Sequence, residues 1–482
     1  MINGRFISRV LGSVLQLTAL FLLICAGISW GYGEEDLKAF LLSALITAAF
    51  GGILLCFGRK APRVFSPRNG YLLVTATWIL WSLAGTLPFL IGGYETSFSA
   101  AYYECMSAFT STGFTILDNI DSLPHGILFW RALMQWIGGL GIVFFVIAVL
   151  PSFGGTGVHI FAAETTGIAT DKLHPRIGVT SRRIWALYII LTITETLLLQ
   201  LGGMPLFDSF CHSLATTATG GFSTHQAGIS CYDSRYIQYV IAIFMFISGI
   251  SFVTLYALFS GKKRKLTQCD ELKWYIGSTV FCTLFITLAL TILSGRDWEP
   301  AFRAAFFQVT SFHTSTGFVS DNTNQWPSCT WLILLFLMFS GASSGSTSGG
   351  TKCIRLLVLT RAIRNEFRRI VHPNAVLPLR IGRQAIAPQT VLTVVIFLLI
   401  HIIAALISTF IFLECGYSFM GAFSYSMSCI GDTGAALAEF GGSSCSFLSP
   451  TLKWFSSFLM LLGRLEFFTI LLLFTPQFWK RQ

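Results

Sequence analysis

The chain has 482 residues, of which 54% are hydrophobic, 15% aromatic and only 11% charged. A soluble domain carries roughly 25% charged residues, so that class is excluded. The net charge of +10 does not point to nucleic acid either, because the basic residues sit in short clusters between long apolar runs.

Apolar stretches of roughly 20 residues, enough to cross a hydrocarbon core of about 30 Å as helix, begin near positions 10, 37, 71, 126, 184, 236, 274, 329, 390 and 454, which predicts ten spans. The first run follows Arg5 and Arg9 and resembles a signal peptide, but no small-x-small cleavage site follows and the next span comes at once. It is therefore expected to be a retained helix. With both termini cytoplasmic, most Lys and Arg fall on the cytoplasmic side, as the positive-inside rule requires of a multi-pass protein. The clusters are Arg59, Lys60, Arg63 and Arg68; Lys172, Arg176, Arg182 and Arg183; Lys262 to Lys265; and the run from Lys352 to Arg383. The 12 cysteines show no C-x-x-C spacing, so neither a zinc site nor a disulfide framework is indicated. Cys415 and Cys445 are the external pair that a bridge could join.

Four short stretches between spans resemble one another: FTSTGFT, TTATGGFST, HTSTGFVS and SCIGDTGAA, aligned on Gly113, Gly221, Gly317 and Gly434. Fifteen residues before each Gly stand Phe98, Leu206, Phe302 and Phe419; eleven before stand Tyr102, Phe210, Phe306 and Phe423; twelve before stand Ala101, Ser209, Ala305 and Ala422. Apolar positions four apart share a helical face, so each stretch reads as a short helix entering a Gly-bearing loop. The expected fold is an all-α membrane protein of four membrane-pore-membrane repeats, at 69–180, 181–270, 271–385 and 386–482, around a central pore. Two extra transmembrane helices within 1–68 precede them.

Irregular backbone at membrane depth is tolerated only where it is buried in protein or lines a cavity. Four such loops around one axis make a ring, and small side chains let its carbonyls replace the hydration shell of a monovalent cation. The expected filter is Ser111, Thr112 and Gly113; Thr219, Gly220 and Gly221; Ser315, Thr316 and Gly317; and Asp432, Thr433 and Gly434. A second irregular stretch, GASSGSTSGG from Gly341 to Gly350, interrupts an apolar span with nothing larger than Thr. Gly is about 1 kcal/mol worse than Ala in a helix interior, so the helix is expected to break there. Beside a cavity below the ring it would serve as a gate, through Gly341, Ser343, Ser344, Gly345, Ser346, Thr347, Gly349 and Gly350. Small-residue helix packing, for which Gly341 to Gly345 fits G-x-x-x-G, is the competing reading.

These features resemble the TrkH family of K⁺ uptake proteins over nearly the whole chain. The matching stretches include QWIGGLGIVFFVIAVLP after the first loop, CHSLATTATGGFSTH at the second, the Gly/Ser stretch from 341, and GRLEFFTILLL in the last span. The two leading spans favour TrkH over its relative KtrB. The resemblance implies K⁺ as the transported ion with no organic cofactor, and a homodimer with a pore in each subunit. It further implies a cytosolic nucleotide-binding ring called TrkA, a bacterial inner membrane, and Arg464 as a pore residue beside the gate. The fourth loop departs from the family, with Asp432, Thr433, Gly434, Ala435 and Ala436 where a Leu-Gly-Pro-Gly run is usual.

An enzyme is not expected. Gly341 to Gly345 spells G-x-S-x-G, but that elbow needs a strand before it. Asp432-Thr433-Gly434 spells an aspartic-protease D-T-G, but no second copy supplies the partner carboxylate. Glu95, Glu104, Asp118, Asp208, Asp233, Asp321, Asp432 and Glu439 lie near the loops, where they would either focus cations at the mouth or form a solvated face. Glu195 and His401 fall inside spans and are expected to be hydrogen-bonded partners there. A secondary symporter coupling K⁺ to H⁺ or Na⁺ is the alternative to a gated conduit.

Overall fold

The computed structural model describes residues 3–59, 67–141, 177–260, 269–375, 377–382, 384–442 and 444–480. Parts of the expected basic clusters, among them Lys60, Arg63, Lys172, Arg176, Lys262 to Lys265 and Arg383, lie outside the described residues. So does the end of the expected span from 126, beyond residue 141.

Two helices, Gly4–Tyr32 and Leu37–Gly58, pair as an antiparallel hairpin. They approach closely because small residues face each other. A Cβ on Gly12 would strike the Gly51 carbonyl, and one on Gly58 would strike Arg9. Gln16 donates to the Ala48 carbonyl at 2.8 Å across the same seam. The hairpin leans on the first of four similar units.

Each unit has a long outer helix, a short helix, an extended loop and an inner helix. The outer helices are Arg68–Ile91, bent at Thr86, then Ile177–Leu201, Asp270–Ser294 and Pro388–Glu414. The short ones are Phe98–Phe109, Leu206–Thr217, Trp298–His313 and Phe419–Gly431, each beginning within four residues of the aligned aromatic or Leu expected from the repeat. Outer helices turn apolar side chains outward, such as Leu399, Leu406 and Phe410 on Pro388–Glu414, while hydroxyls collect inside, where Thr216, Thr310 and Thr314 are fully buried. That inverted distribution suits a lipid surround.

The inner helices depart from the ten full spans expected. Ser328–Ser340 is short, while Arg235–Ser248 with Phe252–Phe259 and Pro450–Arg464 with Phe468–Phe474 are bent pairs, by 103° and 109°; the first inner helix is described over His125–Gly139. Among the described residues, six helices are long and apolar enough to cross a membrane, or eight if each bent pair is one span. The break at Gly341 is the one expected from the Gly/Ser stretch, whereas those at Gly249 and the Leu465-Glu466-Phe467 turn fall inside otherwise apolar runs and leave no compositional sign. A short hairpin pairs Arg380–Ile381 with Gln384–Ala385. Among the described residues every cysteine is free, so the Cys415 to Cys445 bridge does not form; Cys445 is buried, while Cys415 caps an outer helix in the open.

Candidate functional site

The four short helices end the same way. Two residues before each aligned glycine, Ser111, Thr219, Ser315 and Asp432 adopt φ of 59°, 53°, 54° and 49°. One residue later, the amides of Thr112, Gly220, Thr316 and Thr433 donate back to Ser107, Ala215, Ser311 and Ser428 carbonyls at 2.8 to 3.0 Å. The glycines follow with φ of 99°, 78°, 80° and 72°. Left-handed backbone two residues before the glycine and at the glycine itself takes the chain out of the helix and into an irregular loop.

The loops close into a ring in chain order. A Cβ on Gly113 would overlap the Gly220 carbonyl oxygen, one on Gly221 the Thr316 oxygen, one on Gly317 the Thr433 oxygen, and one on Gly434 the Thr112 oxygen. Each glycine thus meets the neighbouring loop's carbonyl at the equivalent position, and the fourth loop meets the first. All twelve expected ring residues come together. The C-terminal, electronegative ends of four helices point at them, an arrangement that favours a cation.

Behind each loop stands a buried polar residue of its short helix. Nine residues before the glycines stand Glu104, His212, Gln308 and Tyr425, each 0% exposed. Glu104 accepts from the Thr115 hydroxyl at 3.1 Å and the Ile116 amide at 2.9 Å, and pairs with buried Arg131 at 2.8 Å. Arg131 then reaches the Ser223 carbonyl of the second loop at 3.1 Å. His212 Nε2 meets the Ser223 hydroxyl at 2.9 Å, and Tyr425 meets Tyr103 at 2.8 Å and Ser456 at 3.1 Å. Gln135 adds a clamp between loops, donating to the Gly220 carbonyl at 2.6 Å and accepting from the Phe222 amide at 3.0 Å. The aligned column of four polar residues was visible in the sequence, but its members share no residue type. Gln135 left no repeat signal at all.

Several acids near the loops are engaged in hydrogen bonds, Glu439 among them at an exposed position. Besides buried Glu104, Asp208 accepts from Thr224 and Tyr232, Asp321 holds Arg296 and Trp326, and Glu439 accepts from Ser418. His225 hydrogen-bonds Asp121 and holds that exposed carboxyl below the usual carboxylate range. Their common role is to pin loop segments to one another.

Directly beneath the ring the third inner helix stops at Ser340, and helix resumes at Cys353. The intervening segment touches three units. Gly349 donates to the Ser315 hydroxyl at 2.5 Å, Thr347 donates to the Thr217 carbonyl at 3.1 Å, and Ser343 donates to the Gly249 carbonyl at 3.1 Å. Gly345 accepts from Phe252 at the second unit's bend at 3.1 Å, and Ser344 donates to Glu271 at 2.5 Å. Gly349 also lies against the Gly431 carbonyl and Asp432, so that no Cβ fits there. Gly341 and Gly350 pack on each other with φ of 61° and 74°. The eight gate residues expected from 341–350 therefore span one crossing strand of irregular chain, with Ser346 bonded to the Ser343 carbonyl inside it.

Arg464 lies against the same segment. Its guanidinium donates to the Thr347 carbonyl at 3.3 Å, to the Gly139 carbonyl at 2.9 Å and to the Gly138 carbonyl. It satisfies terminal carbonyls of the first inner helix, whose dipole favours a cation there. Two residues on, Glu466 pairs with Arg355, which is 3% exposed and stacks over Phe397.

Three expectations need correcting. The basic run from Lys352 was expected to face the cytoplasm as a whole, but partly buried Lys352 bonds the Ser348 carbonyl and Arg355 is internal. Sequence counts charge but does not report that the chain doubles back beneath the ring. Arg361 is also engaged, with Asp270 at 2.8 Å. Glu195 and His401 are buried with no hydrogen-bond partner among the described residues. Thr216 beside Glu195 gives its hydroxyl to the His212 carbonyl at 2.8 Å, and His401 is enclosed by Phe339, Phe397 and Phe467.

Comparison with known proteins finds relatives over nearly the whole chain. The profile of the cation transport protein family TrkH matches residues 36–481. The chain is 35% identical over 480 residues to the Trk system potassium uptake protein TrkH of Salmonella typhimurium, covering 99% of each. It is 30% identical over 481 residues to the Trk system potassium uptake protein TrkG of Escherichia coli, covering 99% of each. It superimposes on the crystal structure of the potassium transporter TrkH from Vibrio parahaemolyticus with a TM-score of 0.90 at 32% identity, again over 99% of both chains.

Proposed function

The chain belongs to the TrkH family of cation transport proteins, and from that premise we propose that it takes up K⁺ across the bacterial inner membrane through the ring of four loops, gated by the segment 341–350 and Arg464. One observation carries the reading: each ring glycine abuts the next loop's carbonyl, around a closed circle of four. Carbonyls fixed at that spacing substitute for the water of a monovalent cation, and the helix ends behind them lower its energy further. Below, a peptide strand and a guanidinium obstruct the way out. The molecule is a conduit rather than an enzyme, and K⁺ is its cargo.

The direct test is ion-replacement flux in liposomes holding the full chain. K⁺ flux should reverse at the K⁺ equilibrium potential and be insensitive to a proton gradient. Flux that continues against the K⁺ gradient when a proton or Na⁺ gradient is imposed would instead establish a coupled symporter.

Family membership also leads us to propose a homodimer, regulated by a cytosolic nucleotide-binding ring of the TrkA kind. The surface suited to that ring is the distal half of the helix Cys353–Val371. Arg364, Arg368 and Arg369 are exposed there beside Ile363, Phe367 and Ile370. Anionic lipid is the competing partner for such a basic stretch. Charge reversal at Arg364 and Arg368 together should abolish co-purification with the ring and leave the protein in the membrane. Undiminished co-purification would move the docking site elsewhere.

A further inference from the structure

Asp432 occupies a position that is a hydroxyl residue in the other three loops, where Ser111, Thr219 and Ser315 stand. Its carboxylate is 2% exposed and accepts from the Thr112 hydroxyl at 3.0 Å, which ties the fourth loop to the first. Arg464 and Lys352 are the cationic groups within electrostatic reach, and the backbone of Gly349 lies against its Cβ. The carboxylate thus stands at the inner rim of the ring, between the loops and the obstructing segment.

The fourth loop is also the one whose hydroxyls lack partners. In the first and third loops, Thr112 pairs with Thr110 at 2.8 Å and Thr316 with Thr314 at 2.7 Å. Gly431 takes the place of that threonine in the fourth, and the hydroxyls of Thr433 and Ser428, both 0% exposed, have no hydrogen-bond partner among the described residues. Buried hydroxyls are seldom left so, and the orphaned Thr433 hydroxyl, on the residue next to Asp432, marks a place where a polar guest completes the shell.

Resting on the reading of the ring as the K⁺ filter, we propose that Asp432 is a specificity-determining residue of this chain. Its carboxylate makes the inner end of the ring an anionic subsite that holds a partly dehydrated monovalent cation. The other loops offer the ion only dipoles. A fixed charge a few ångströms away holds a cation more firmly than a dipole does, because its field falls off more slowly with distance. The consequence is a lower K⁺ concentration at half-maximal flux than hydroxyls alone would give.

The test is K⁺ uptake by full-length protein in liposomes as a function of K⁺ concentration. Asp432→Asn keeps an acceptor for Thr112 and removes only the charge. It should raise the half-saturating K⁺ concentration about tenfold, a modest share of the attraction between unit charges at such distances. Adding Thr219→Asp, the equivalent position in the second loop, should restore the lower value. A purely structural tie would predict no change in Asp432→Asn and no restoration, and that pair of results would overturn the proposal. Should Asp432→Asn fail to reach the membrane, Thr219→Asp alone in the otherwise unaltered chain carries the test. A lower half-saturating concentration supports the proposal, and an unchanged or higher one defeats it. Failure of the filter reading itself would show separately, as an unaltered K⁺ over Na⁺ preference in Gly113→Ser.

Discussion

Replacing Arg464 with Ala is expected to raise K⁺ flux by roughly a hundredfold without changing ion preference. At an effective dielectric near 20, unit charges about 5 Å apart repel by roughly 3 kcal/mol, which is about that factor in rate. The guanidinium is held under the ring by the Thr347, Gly138 and Gly139 carbonyls, so an ion leaving the ring meets it in a fixed place. Deleting part of 341–350 removes the Thr347 anchor and the strand across the cavity, and should raise flux as well. If ion preference is set above, in the proposed filter, neither change should alter the ratio of K⁺ to Na⁺ flux. Flux at or below the unaltered level in both variants, at equal membrane abundance, would rule out the obstruction.

The features legible in sequence were those repeated in the same residue types. Gly113, Gly221, Gly317 and Gly434 with their flanking small residues announced four loops, because backbone geometry admits little else at a positive φ against a neighbour's carbonyl. The Gly/Ser stretch announced a helix break for the same local reason. What stayed hidden depends on contacts between distant segments. Gln135 braces a loop 85 residues away and looks like any polar residue of an apolar helix. Arg355 and Glu466, 111 residues apart, look like one more cytoplasmic cation and one more stray acid. Lys352 was misread because the chain turns back below the ring, an event that no local pattern records. The bends at Gly249 and Leu465 were hidden by apolar composition that continues through them.

Gly113→Ser and Gly317→Ser should each lower the preference for K⁺ over Na⁺ by about tenfold or more, while total cation flux persists. Two costs coincide at these positions. A side chain at φ of 99° or 80° is strained, by roughly 1 to 3 kcal/mol for such a backbone. Its Cβ must also occupy space held by the Gly220 carbonyl in one case and the Thr433 carbonyl in the other. Those oxygens are the groups that would face the ion, so the ring relieves the strain by letting them turn or withdraw. A serine hydroxyl then offers itself in place of a carbonyl, and a smaller, more strongly hydrated ion can keep part of its water and pass. The strain energy corresponds to about tenfold to a hundredfold in relative rate if it is spent on ring geometry. Because Glu104 and Gln308 lie behind the loops and touch neither glycine's added atoms, the fold should persist and the change should appear in selectivity. Ion preference unchanged in both variants, measured under matched gradients of the two ions, would mean that discrimination does not occur at this ring.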